Sequence, residues 1–133
     1  MRSAADPWWI IGSAAVVLHG AHTRVADVDV LLSVRDAEAM GRRLGIDMRP
    51  GDGAGPFRSD RYGRWQAPPV PVEFMAGLVV RERSPVHPRT RTTANVETAT
   101  VYLPAREEMI AILELFDRPK DRARAAMLRA RDA

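Results

Sequence analysis

Two aspartates, Asp27 and Asp29, stand one valine apart in the run 27–34, where Asp27, Asp29 and Ser33 alternate with Val28, Val30, Leu32 and Val34. Side chains two apart on a strand share a face, so the pattern predicts a strand with both carboxylates pointing the same way. Two acids about 7 Å apart along a strand both reach a hard cation placed between them. Mg²⁺ prefers one or two carboxylates together with phosphate oxygens, and Mn²⁺ shares that taste for oxygen. The chemistry on offer is metal-assisted phosphoryl transfer.

These acids need a partner for phosphate, and the residues just upstream supply one. The apolar run 8–11 (WWII) reads as a strand that ends at Gly12-Ser13, and 14–18 continues with residues that suit a helix. Glycine lets a phosphate approach the backbone, Ser13 is placed to cap the helix, and free N–H groups at a helix start favour an anion. A second acid-bearing strand lies at 70–75, with Val70, Val72 and Phe74 on one face and Glu73 on the other. A charge inside so short an apolar strand is either exposed at an edge or held in a site.

An apolar strand, Gly-Ser, thirteen intervening residues and then Asp-Val-Asp with apolar flanks resemble the signature of the nucleotidyltransferase superfamily with the polymerase-beta-like core. The resemblance implies two Mg²⁺ (or Mn²⁺) ions held by Asp27, Asp29 and a third carboxylate on the neighbouring strand. It also implies a nucleoside triphosphate whose phosphates lie at Gly12 and Ser13. A hydroxyl of an RNA or protein acceptor would receive the nucleoside monophosphate, in a toxin–antitoxin setting. Glu73 fills the third place, where the family more often has Asp, and Asp60 is the alternate candidate. Without a metal, Glu73 beside two aspartates is expected to suffer like-charge repulsion and burden the fold.

The C-terminal half resembles the toxin-type and uncharacterised branches of that superfamily through Arg118-Pro119-Lys120-Asp121. Two departures accompany it. Glu114 stands where such relatives commonly carry a lysine, and Arg124 where they carry a second acid after the Lys-Asp pair. Loss of a cation near a triphosphate weakens stabilisation of transition-state charge. The rival to an active transferase is a catalytically degenerate binding or interaction module of the same fold.

The elements that must position these groups follow from apolar periodicity. Residues 35–44 carry Ala37, Met40 and Leu44 at helical spacing, with Gly45 as a stop. The stretch 49–71, rich in glycine, proline and arginine, is either a hairpin over the site or a flexible loop. Its Phe57, Tyr62 and Trp65 interleave with Arg58, Arg61 and Arg64, which suits a base and a phosphate and equally an arginine-studded hairpin. Strands are predicted at 90–97 and 98–103, then a helix opened by Pro104 with Met109, Ile112, Leu113 and Phe116 along one stripe. A last helix opens at Pro119, with a small-residue face of Ala123, Ala126, Met127 and Ala130. The order predicts an α/β (α+β) domain over 1–133, a mixed sheet with helices mainly on one face.

Composition sets the bounds. With 133 residues and 46% apolar content, one domain with its own core is expected. Cysteine is absent, which excludes disulfides and thiolate metal sites. No leading apolar run resembles a signal peptide or a membrane span, so a cytoplasmic location is the expectation. The net charge of +3 is almost wholly arginine, Lys120 being the single lysine. It permits a nucleic-acid or nucleotide partner and is equally an ordinary solvated surface. Residues 1–6 are expected to be loose, and His19 and His22, three apart with no further nitrogen or sulfur ligand, read as polar residues at a helix end rather than a zinc site.

Overall fold

A strand three residues long, β1 (Trp9–Ile11), runs buried through its whole length into helix α1 (Gly12–Leu18). The structure is a computed structural model and describes residues 4–52, 55–81 and 83–131. The acidic strand β2 (Val28–Leu31) is shorter than the alternation 27–34 predicts. Ser33 instead leaves the strand to cap helix α2 (Val34–Leu44), its hydroxyl accepting from the Asp36 N–H at 3.2 Å. A serine that satisfies an orphan donor of a helix start outweighs the strand period there. The helix ends as expected at Gly45, in the left-handed conformation with φ 69°.

Within the stretch 49–71, residues 49–65 form a hairpin and 66–71 a loop: β3 (Arg49–Asp52) pairs antiparallel with β4 (Phe57–Trp65), residues 53 and 54 lying outside the described residues. β4 continues the sheet against β5 (Val72–Ala76) on one side and β6 (Val79–Val80), which pairs with β7 (Ser84–Pro85). Among the described residues the sheet runs β1-β2-β5-β4-β6-β7, with β3 branching from β4. Its one parallel pair is β2 with β5. Parallel neighbours need a long crossover, and here α2 and the β3–β4 hairpin fill it.

β8 (Thr92–Val96) and β9 (Ala99–Leu103) form a separate ribbon that reverses near Glu97, whose φ is 56°. Beyond it, α3 (Arg106–Phe116) buries the predicted stripe of Met109, Ile112, Leu113 and Phe116. Pro104 does not open this helix: Ala105 is its N-cap, so the proline lies one residue further out. Pro119 does open α4 (Pro119–Ala130). The predicted small-residue face of α4 is wrong, because Ala123, Ala126, Met127 and Ala130 are exposed while Asp121, Ala125 and Leu128 are buried. The buried face starts at Asp121, which Arg118 holds through two hydrogen bonds, Nε to Oδ2 at 2.5 Å and NH2 to Oδ1 at 3.0 Å. The buried face is thus roughly opposite to the one that the small residues suggest, at about 100° of turn per residue, with the capping pair at its start.

α1 packs on β1 and β2 and touches both α3 and α4, whereas α2 lies against β4 and β5. The core between them includes Ile11, Val16, Phe74, Leu103, Met109 and Leu128. Trp8 and Trp9 are buried as expected, Trp8 edge-on to Tyr102 at 5.3 Å. Residues 4–6 are not loose. Asp36, itself buried, accepts from the backbone N–H groups of Ala5 at 2.8 Å and Asp6 at 2.9 Å, and Asp6 accepts from Ser33 at 2.6 Å. Residues 1–3 of that expectation lie outside the described residues. No described helix is long and apolar enough to cross a membrane.

Candidate metal centre

The parallel register of β2 and β5 sets Asp29 directly opposite Glu73 and Val28 opposite Val72. Asp27 sits immediately before β2, two residues from Asp29 and on its side of the strand. Asp27, Asp29 and Glu73 each offer a carboxylate oxygen within 4.8 Å of the others. The side chains thus lean together from strand positions about 7 Å apart. All three are part-buried.

The donor set fits a hard divalent ion. It is made of carboxylate oxygens alone, the ligand class of Mg²⁺ and Mn²⁺ rather than of zinc. The neighbouring backbone is cut to the same shape: a Cβ on Gly12 would lie 2.5 Å from Asp29 Oδ2, and Gly12 has φ 69°. Only glycine lets the start of α1 lie this close to the acidic strand. Ser13 is buried in the first turn of α1. It does not cap that helix, however, since the N-cap is Ile11 and makes no side-chain cap bond.

Charge is unevenly compensated across the cluster. β4 brings Arg64 opposite Glu73, and Arg64 NH1 lies 2.5 Å from Glu73 Oε1 and 3.5 Å from Asp27 Oδ2. Asp29 carries the repulsion instead. Burial, then the charges of Asp27 and Glu73, push its carboxyl from the ordinary 3.8 up to about 8, while Arg118 pulls the other way. Burial and the negative charge of Glu73 likewise push the Tyr62 hydroxyl up to about 12. The sequence places the electrostatic burden on Glu73; in the folded chain Arg64 answers that residue.

Beside Asp29 and Glu73 opens a cavity of about 430 Å³, walled by Tyr62, Met75, Phe57 and Phe116 and by Arg118. The Arg118 guanidinium lies 4.8 Å over the Phe57 ring while Asp121 grips its other edge. Arg118 therefore brings a positive charge to the acids. Glu114, by contrast, is exposed and pairs with Arg129 at 2.5 Å, away from the acids.

Asp60, the alternate third acid, is exposed on β4 and lines a different cavity with Trp9 and His87. It is not part of the cluster. His19 bonds the Pro104 carbonyl through Nε2 at 2.8 Å and His22 is exposed, as polar residues at a helix end. Of the arginines interleaved with aromatics, Arg64 lies against the acids, whereas Arg61 pairs with Glu38 of α2 at 3.4 Å. The sequence singled out this interleaving but not Arg64 in it, because choosing among Arg58, Arg61 and Arg64 requires the β4–β5 register.

No known family profile matches the chain, and no curated protein matches it in sequence. Solved structures do. A Thermotoga maritima protein regarded as a nucleotidyltransferase superposes with TM-score 0.66 at 16% identity, over 86% of this chain and 77% of that one. The lincosamide antibiotic adenylyltransferase LnuA, bound to lincomycin, does so with TM-score 0.59 at 12% identity, over 92% of this chain and 85% of that one. An antigenic nucleotidyltransferase-like protein from Paracoccidioides brasiliensis gives 0.52 at 20% identity, over 92% of this chain and 64% of that one. With its acid-bearing parallel strands, its curled mixed sheet and its four helices, this chain has a nucleotidyltransferase fold.

Proposed function

We propose that this protein is a nucleotidyltransferase that moves a nucleoside monophosphate from a nucleoside triphosphate to a hydroxyl acceptor, releasing pyrophosphate. The observation that carries the reading is the convergence of Asp27, Asp29 and Glu73 within 4.8 Å on adjacent strands, beside a glycine that no other residue could replace without meeting Asp29. Those three acids would hold Mg²⁺ or Mn²⁺. When bound, the ions lower the pKa of the attacking hydroxyl and neutralise charge on the leaving group.

The chain's own residues do the rest. Gly12 and Ser13, at the start of α1 and against Asp29, receive the phosphates. Arg118, held rigid by the buried Asp121, supplies a fixed positive charge at the cavity wall, where such a charge needs little reorganisation. Asp29 or Glu73 takes the proton of the attacking hydroxyl, both lining the cavity from which an acceptor would present it. The acceptor is an RNA end or a protein hydroxyl, in a toxin–antitoxin setting. The adenylyl transfer in LnuA's name supports the kind of reaction.

The second reading, a catalytically degenerate module of the same fold, draws on Glu114, whose exposed pairing with Arg129 leaves α3 without a cation at the centre. Incubation with labelled nucleoside triphosphates and Mg²⁺ against RNA and protein acceptors separates the two. In parallel, Mg²⁺ or Mn²⁺ with a triphosphate should raise the melting temperature, since a ligand that binds only the folded state stabilises it by mass action. The double variant Asp27→Ala, Asp29→Ala should lose that shift. Equal nucleotide binding in the double variant, measured by calorimetry, contradicts the metal-bridged reading.

A further inference from the structure

The acidic cluster already contains a cation of its own. Arg64 rises from β4 opposite Glu73, and its NH1 lies 2.5 Å from Glu73 Oε1 and 3.5 Å from Asp27 Oδ2. One guanidinium nitrogen thus spans two of the three carboxylates. The Tyr62 side chain lines the same cavity wall as Glu73, beside the pair. The Arg64 side chain is 35% exposed and that of Glu73 20%, so the pair is only partly screened by water.

Charge then limits what else the cluster accepts. With all three carboxylates ionised, as metal ligation requires, the cluster carries three negative charges and Arg64 returns one, leaving two, the charge that a single divalent ion balances. A second divalent ion in the same part-buried place would sit beside both the first ion and a guanidinium, and like charges at such separations repel strongly in a poorly solvated site. Arg64 also occupies the space between Asp27 and Glu73 that a bridging ion would use.

We propose that Arg64 is a resident counter-ion that takes one of the cation places of the Asp27–Asp29–Glu73 cluster, so that the free protein binds one divalent ion where the bare cluster would bind two. The inference rests on the reading of the cluster as a metal centre. Arg64 is on this account a positioning residue, which sets the metal count and steers the bound ion towards Asp29. It also explains why a cation from a neighbouring strand lies between two of the acids. An ion pair that merely stabilised the hairpin would leave the metal count alone.

The test is a Mn²⁺ titration of the full chain without nucleotide, followed by electron paramagnetic resonance of the free ion. The wild type should bind one Mn²⁺ per chain, Arg64→Lys one, and Arg64→Gln two. If Arg64→Gln needs metal to fold, it is folded in Mn²⁺ and freed of excess ion by gel filtration before metal analysis, where two per chain supports the proposal and one overturns it. Two ions in the nucleotide-free wild type overturn the role of Arg64 while leaving the metal centre standing. No bound Mn²⁺ in any of the three proteins overturns the proposal and the metal centre together.

Discussion

Asp29 on β2 and Glu73 on β5 are directly paired residues of a parallel ladder, so two like charges face each other where sheets ordinarily place apolar or opposite-charged neighbours. Such a pair is destabilising on its own. The chain answers half of the problem with Arg64 on Glu73 and leaves the other half on Asp29, whose carboxyl ionises only near pH 8.

That value sets the pH dependence of the metal-free protein. The folded pKa of Asp29, about 8, lies above the ordinary 3.8 of an unfolded chain, so its contribution is whole at low pH and is lost as pH rises through about 8. Within that window the loss is at most about 1.4 kcal/mol per pH unit. Urea midpoints in chelator should fall as pH rises from about 5 to about 9, and Asp29→Asn should flatten the slope. Saturating Mn²⁺ should flatten it too, because a metal takes the deprotonated carboxylate. A slope in chelator that Asn leaves unchanged would remove Asp29 as its source.

Glu73→Gln keeps the size of the side chain and an oxygen for Arg64 while removing one negative charge from the cluster. The metal-free protein should keep its stability or gain slightly, and Mn²⁺ affinity should weaken by about tenfold or more, in line with the loss of one charged ligand. Transferase turnover should disappear. Isothermal calorimetry together with thermal melts reads both quantities, and unchanged metal affinity would make Glu73 a bystander.

Gly12→Ala forces a side chain into the left-handed region at φ 69° and a Cβ to within 2.5 Å of Asp29 Oδ2. The backbone strain alone costs about 1 kcal/mol, and displacing Asp29 adds to it, for a total of about 1–3 kcal/mol. Metal affinity should fall with stability, since the same contact moves a ligand. Chemical denaturation and Mn²⁺ titration on one preparation check the coupling.

Asp121→Ala removes a buried carboxylate that holds the Arg118 guanidinium through two hydrogen bonds and its backbone N–H through a third. One partner is fully buried and the other partly exposed, so the cost should be about 2–4 kcal/mol, below that of a wholly buried pair. The freed Arg118 no longer holds its place over Phe57, so triphosphate affinity should weaken even under conditions where the variant is folded. A variant with wild-type nucleotide affinity would take Arg118 out of the site.

Much of this arrangement was legible in the chain alone, and it is the part governed by short-range rules. A strand into Gly12-Ser13, a glycine stop at Gly45, the stripe of Met109, Ile112, Leu113 and Phe116 and the proline at Pro119 each express a local preference that the fold respects. Asp27 and Asp29 share a side because a strand has period two. Where local signals competed, the sequence misled. Ser33 fits the alternation yet caps α2, and the alanines of α4 look like a packing face until Asp121, tied to Arg118, takes the inward position.

Tertiary structure decided what lies between strands. That Glu73 rather than Asp60 completes the cluster follows from the β2–β5 register, and that Arg64 reaches it follows from the β4–β5 register. Neither is encoded within any single segment, because a one-residue slip of either pairing would turn the side chain to the opposite face. The charge of Asp29 belongs to the same class: the sequence singles out Asp27, Asp29 and Glu73, but only their approach to within 4.8 Å in a part-buried place makes one of them hold its proton near neutral pH. The residue types are a property of the sequence, whereas their pKa values and their counter-ions arise from distances that exist only once the sheet has closed.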